Sequence, residues 1–135
     1  GGIVNLPGLE ILPLAQAVPS PPFFSYGQLN PEELTAAREV WRAPPGPDSV
    51  RLVCGHYPLT GTGRLSWLFS GLRGGQSLRD FLETSRVAGY LCGHIHHSQS
   101  LDLGQGVWQH VAPALPLRGV VRRYHCGDGK LTPIA

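Results

Sequence analysis

Charge is scarce in this chain: only 15% of its residues are Asp, Glu, Lys or Arg, against about 25% in an ordinary soluble domain. The formal net charge is +2, and the arginines are scattered apart from the pair Arg122 and Arg123. Disorder driven by self-repulsion is thereby excluded, as is the basic stripe of a nucleic-acid-binding surface. Methionine is absent altogether, even at position 1, and the expectation is that the chain is a piece of a longer polypeptide. Cysteine is limited to Cys54, Cys92 and Cys126, an odd number that offers no disulfide framework. Cys54 and Cys92 lie near the ends of apolar runs, where free cysteine behaves as a small buried hydrophobe. Reduced thiols of this kind fit a cytoplasmic setting. The opening residues lack the basic, apolar, small-residue order of a secretory signal. The longest uncharged run, residues 11–31, has the length of a membrane span but carries Pro13, Pro19, Pro21, Pro22 and Pro31. Prolines so placed break a helix repeatedly, so no membrane span is expected.

What is present suffices for one domain over residues 1–135, since 41% of the chain is hydrophobic and domains of this length build a core. Residues 2–14 read as two short strands around a Pro-Gly turn, and residues 15–29 as an ordered, proline-rich and aromatic loop. A helix follows: Asn30 caps it, Pro31 suits its first position, and Glu32 and Glu33 suit its positive end. Leu34, Ala37, Val40 and Trp41 form its apolar face, and APPGPD ends it. VRLVCGH (50–56) reads as a buried strand interrupted only by Arg51, and RLSWLFSGL as a helix with Leu65, Leu68, Phe69 and Leu72 on one stripe. Ser77 is placed to cap a helix over 78–86 with Asp80 in its first turn, and RVAGYLC (86–92) is a second buried strand. The rest reads as strands, GVWQHVA, RGVVRRYH and KLTPI, the last two joined as a hairpin through CGDG. Strands alternating with helices and then a β-rich end predict a layered α/β architecture with a mixed sheet.

Two apolar runs stop at the same tripeptide: LVCGHYPL (52–59) and GYLCGHIHH (89–97). In α/β sheets ligands bind beyond the carboxyl ends of strands, and His56 and His94 stand there, each after a glycine that frees the backbone to turn. If the two strands are neighbours, their imidazoles converge. His96 shares a face with His94 on a regular strand; on a turn the two serve adjacent metals. Neutral imidazole is the commonest metal ligand among groups titrating near neutrality and suits zinc, iron, manganese or nickel. His97 faces outward or contacts substrate, His110 alternates with apolar neighbours and is structural, and His125 beside the hairpin turn is exposed. TGTGR (60–64) offers backbone N–H groups to an anion, but lacks the Lys-Ser/Thr of a P-loop. Arg64 is then a candidate phosphate contact.

VCGHYPL followed by LCGHIHH resembles the last two metal-binding motifs of the calcineurin-like metallophosphoesterases, and YGQLNPEELTAAREVW is similar to the helix that precedes them. The resemblance covers nearly the whole chain but only the family's C-terminal half. It implies a layered α/β/β/α sandwich, here as a single partial domain, whose missing N-terminal half would be this chain's partner. It also implies hydrolysis of phosphate mono- or diesters, as a phosphatase or phosphodiesterase, at a pair of divalent ions (Mn, Fe, Zn or Ni). His56 and His94 would bind one metal and His96 the other, with Tyr57, His97 and Arg64 toward the phosphate-ester substrate and Pro58 shaping the loop. The family's earlier motifs, Asp-x-His, Gly-Asp-x-x-Asp and Gly-Asn-His-Asp/Glu, do not occur here: Gly127-Asp128 lacks the second Asp and Asn5 the following His. With no bridging carboxylate and no catalytic residue of its own, the isolated chain is expected to have little or no hydrolase activity. Two alternatives stand beside it: a structural zinc on the same residues, Cys54, His56, Cys92 and His94, and a metal-free α/β interaction module docking through the proline-rich loop 15–29 or through exposed aromatic residues.

Overall fold

Gly8, at φ +71°, turns the chain between strands β1 (Val4–Leu6) and β2 (Leu9–Pro13), which pair antiparallel with Leu6 opposite Leu9. This is the Pro-Gly hairpin expected from the sequence. A computed structural model describes residues 2–61, 63, 70–114 and 119–134. In chain order the remaining elements are β3 (Gly27–Gln28), helix α1 (Pro31–Val40), β4 (Val50–Cys54), β5 (Leu72–Arg73), helix α2 (Gly75–Thr84), β6 (Gly89–Cys92), β7 (Gln99–Gly104), β8 (Val107–Val111), β9 (Arg123–Gly127) and β10 (Lys130–Ile134). The main sheet has six strands in the order β1-β2-β4-β6-β8-β7, parallel through β2, β4, β6 and β8 and antiparallel at both edges. It is a mixed sheet in an α/β chain, as expected. No helix among the described residues is long and apolar enough to cross a membrane.

Helices α1 and α2 cover one face. Leu12, Val53, Tyr90, Val107 and Val111 of the sheet pack in one cluster with Leu34, Ala37 and Trp41 from α1 and Leu78, Phe81 and Leu82 from α2. Trp41 stacks on Phe81 with ring centroids 5.9 Å apart. Asn30 caps α1 as expected, its side chain accepting from the Glu32 N–H at 2.9 Å. Val40, assigned above to the apolar face, is exposed; the helix turns that position outward while Trp41, one residue on, turns in. Ser77 is not the cap of α2. That helix starts at Gly75 behind Gly74 at φ +82°, a backbone state that favours glycine, so Ser77 and Asp80 lie inside it.

The opposite face of the sheet carries the β9–β10 hairpin. A Cβ added at Gly89 would stand 2.8 Å from Leu131 Cδ2, and the rings of His110 and Tyr124 lie 4.9 Å apart. Asp128 and Gly129 make the hairpin turn at φ +51° and +68°, the paired positive values of a type I′ connection. β9 starts at Arg123, later than the run RGVVRRYH suggests, and β7 (QSLDLG) has no counterpart in the sequence reading. The stripe Leu65, Leu68, Phe69 lies outside the described residues, and Leu72 belongs to β5 rather than to a helix.

His110 is structural, as its alternation with apolar residues indicates. It is buried, and its Nδ1 lies 2.9 Å from Ser100 Oγ, which in turn accepts from Arg122 Nη1 at 2.8 Å. Burial first, and the Arg122 charge second, hold its pKa below the ordinary 6.5. The folded state therefore binds fewer protons here than the unfolded chain does. This contribution to stability is complete above pH 6.5 and is lost as the pH falls through the depressed folded-state value. Urea midpoints are expected to drop on acidification from neutral pH, and to drop less in His110→Gln.

Candidate metal centre

Four parallel strands deliver their carboxyl ends to one edge of the sheet, and backbone bonds lock those ends together. Leu14 N–H donates to Cys54 O at 2.8 Å, Gly55 N–H to Leu91 O at 2.9 Å and Ala112 N–H to Cys92 O at 2.8 Å. The repeated Cys-Gly-His endings are therefore neighbours, because β4 and β6 pair directly with Cys54 opposite Leu91. Past the edge the two loops join again, Gly93 N–H donating to His56 O at 3.0 Å.

This geometry brings two histidines together. His56 Nε2 lies 3.1 Å from His94 Nδ1, with ring centroids 5.1 Å apart and planes at 73°. Tyr57 completes an aromatic triangle, its ring centroid 4.5 Å from that of His94 and 4.9 Å from that of His56. Unlike His56, which is exposed, Tyr57 is buried, so it forms the wall of the site and presents little of itself to a substrate. His94 and His96 sit at φ +69° and +60°, a region that residues other than glycine populate sparsely and that histidine visits more than most. They belong to a turn, not to a strand. His94 titrates below its ordinary range because burial, then His56, then His96 disfavour its charge.

Two buried amides hold the loop that carries His56. Gln16 Oε1 accepts from the N–H groups of His56 at 2.7 Å and Tyr57 at 3.0 Å, while its Nε2 donates to Tyr90 Oη at 3.0 Å. Tyr90 donates onward to Tyr57 O at 2.6 Å. Burial raises the pKa of Tyr90 strongly, which keeps that hydroxyl protonated. Three residues on, Gln109 Oε1 accepts from Leu59 N–H at 2.7 Å and Thr60 N–H at 3.3 Å, and its Nε2 donates to Thr60 O at 2.9 Å. Gly55 is required beneath the loop, since a Cβ there would meet Tyr90 Oη at 2.4 Å and Gln16 Nε2 at 2.7 Å. None of the residues Gln16, Tyr90 and Gln109 was singled out from the sequence. The available signal was a glutamine amid apolar residues, AQA and VWQHV, where an amide must find partners.

Donors bound at about 2.1 Å to one ion, at angles of roughly 90–110°, lie about 3.0–3.4 Å apart. The 3.1 Å between His56 Nε2 and His94 Nδ1 falls in that interval, and a neutral His94 is the ligating form. The same separation is that of an imidazole–imidazole hydrogen bond, and it also admits both nitrogens to one ion. His96 and His97 are exposed on the following turn, and His97 lines an open cavity of about 340 Å³ with Ser98, Pro113 and Val120. Arg64 lies outside the described residues. Among the described residues no three His, Cys, Asp or Glu side chains are grouped to hold a metal, so neither His96 nor the set Cys54, His56, Cys92 and His94 assembles around the pair. Burial, and then Cys54, push the Cys92 thiol up to about 12, and burial raises Cys54. No protein-family model matches the chain, and no curated protein matches it.

Proposed function

We propose that this chain contributes the histidine side of a metal-dependent phosphoesterase site of the calcineurin-like type, with the layered sandwich of that family as its fold. The observation that carries the reading is the 3.1 Å approach of His56 Nε2 to His94 Nδ1, at the carboxyl edge where two copies of the same motif end. His56 and His94 would hold one divalent ion, with His96 on the adjacent turn toward a second, and carboxylates from outside this chain would complete the pair. Bound there, divalent ions polarise a phosphoryl group and activate water. The chain's own residues do the positioning. Tyr57 excludes water from one side of His94, and the backbone bond from Gly93 to His56 O keeps the two loops at a fixed separation. A phosphate mono- or diester is the substrate class, approached from the side of His97.

Cobalt(II) or manganese(II) titration of the 135-residue chain tests the reading. The expected outcome is binding that His56→Ala and His94→Ala each weaken at least tenfold, since losing even an outer partner of a ligand costs about 10–100-fold. Equal binding by the wild type and both variants would overturn it. With manganese, the chain alone is expected to turn over bis(p-nitrophenyl) phosphate barely or not at all, for want of a bridging carboxylate. Robust turnover lost in His94→Ala would overturn that part.

A further inference from the structure

We infer that Gln16 and Tyr90 are positioning residues that set the His56–His94 separation, so that metal affinity at this site is governed by a buried amide–phenol pair far away in sequence. The inference rests on the metal-site reading above for its affinity arm, and on geometry alone for its structural arm. Gln16 is 2% exposed and Tyr90 0%, so water does not compete for their bonds. Gln16 is itself fixed, because its backbone oxygen accepts from Gln28 N–H at 3.0 Å, tying it to β3. Its Oε1 then receives the N–H of His56, the ligand residue, and of Tyr57, the ring beside His94. Tyr90 closes the ring of bonds by donating to Tyr57 O. Both the N–H and the C=O of Tyr57 and the N–H of His56 are thus fixed from beneath. The backbone that launches the His56 side chain is thereby held at a fixed place and direction beside the loop of His94. Outer partners of this kind hold ligands in place, and losing them costs about 10–100-fold in metal affinity.

The molecule contains its own control. Gln109 is 0% exposed and also accepts from two consecutive loop N–H groups, but those of Leu59 and Thr60, beyond Pro58 and away from His56. Loss of Gln109 removes as much buried hydrogen bonding as loss of Gln16 without touching the ligand residue. A purely structural role predicts that the two behave alike; a positioning role predicts that they part.

The test compares Gln16→Met, Tyr90→Phe and Gln109→Met with the wild-type chain by cobalt(II) titration and by NMR of the histidine rings in metal-free protein. Gln16→Met is expected to weaken cobalt(II) binding at least tenfold and Tyr90→Phe severalfold, with Gln109→Met within twofold of wild type. In the metal-free protein the ring-to-ring contact between His56 and His94 is expected to vanish in Gln16→Met and to persist in Gln109→Met. Equal losses in the two glutamine variants, or an intact ring contact in Gln16→Met, would overturn the proposal. If the wild type binds no cobalt(II), the metal reading fails and the ring contact alone decides the positioning role. If Gln16→Met does not fold, Tyr90→Phe carries the same two readouts, and an unchanged ring contact there overturns the proposal.

Discussion

Arg51→Met is expected to destabilise the fold by about 3–5 kcal/mol, the range found when one partner of a buried charge network is removed. Arg51 is 4% exposed on β4, yet its guanidinium has an acceptor on every nitrogen. Nε donates to Glu10 Oε2 at 3.2 Å, Nη1 to Trp41 O and Ser85 O at 3.2 Å each, and Nη2 to Ala43 O at 2.7 Å. Trp41 and Ser85 are the C-terminal caps of α1 and α2. Helix ends leave carbonyls without intrahelical partners and carry partial negative charge, so one buried cation answers both helices at once. Its carbon also lies 5.1 Å from the centre of the Trp41 ring. Methionine keeps the volume and abandons four acceptors. Arg51→Lys keeps the charge but lacks the planar fork, and is expected to fall between the two. Because whole domains are stable by only about 5–15 kcal/mol, the urea midpoint of Arg51→Met should fall by at least about a fifth with little change in slope. A midpoint close to that of the wild type would show that the helix ends find water instead.

Arg51 also marks where the sequence was legible and where it was not. An apolar strand interrupted by one arginine was readable as a strand, but the interruption concealed its main polar joint, since the four acceptors come from separate parts of the chain. The α1 cap was legible because Asn-Pro-Glu-Glu acts locally. The start of α2 was not, because Gly74 caps it through a left-handed backbone and offers no side-chain signal. At the site, the duplicated Cys-Gly-His marked two strand ends whose histidines converge if the strands are neighbours, and β4 and β6 do pair. What periodicity had no means to supply was the support. Gln16 reaches His56 across 40 positions and Gln109 reaches Leu59 across 50, and an amide's partners are set by topology rather than by neighbours. The turn at 93–96 was equally hidden, because histidine at positive φ leaves no trace in composition.

Gly27→Ala is expected to cost about 1–3 kcal/mol, as overpacking of a filled interior does, and to loosen the histidine pair as well. A Cβ at position 27 would stand 2.2 Å from Tyr57 Cδ2, 2.6 Å from Cε2 and 2.8 Å from Cγ, inside the ring's van der Waals surface. One of the two must yield. Gly27 is held by β3–β5 pairing opposite Leu72 and by its N–H bond to Gly71 O at 3.1 Å. The Tyr57 backbone is held by Gln16 and Tyr90. With both main chains fixed, the ring has to swing, and it then leaves the face of His94 that it covers at 4.5 Å. Loss of stability and weaker cobalt(II) binding should therefore arrive together. A double-mutant cycle separates this cause from a general distortion of β3. If the clash is with the ring, removing the ring by Tyr57→Ala leaves nothing for the new methyl to strike. The double variant should then be destabilised by no more than Tyr57→Ala alone, an interaction energy about equal in size and opposite in sign to the cost of Gly27→Ala. Strict additivity would mean that glycine is needed at this position for its backbone, and that the Tyr57 wall is not what Gly27 makes room for.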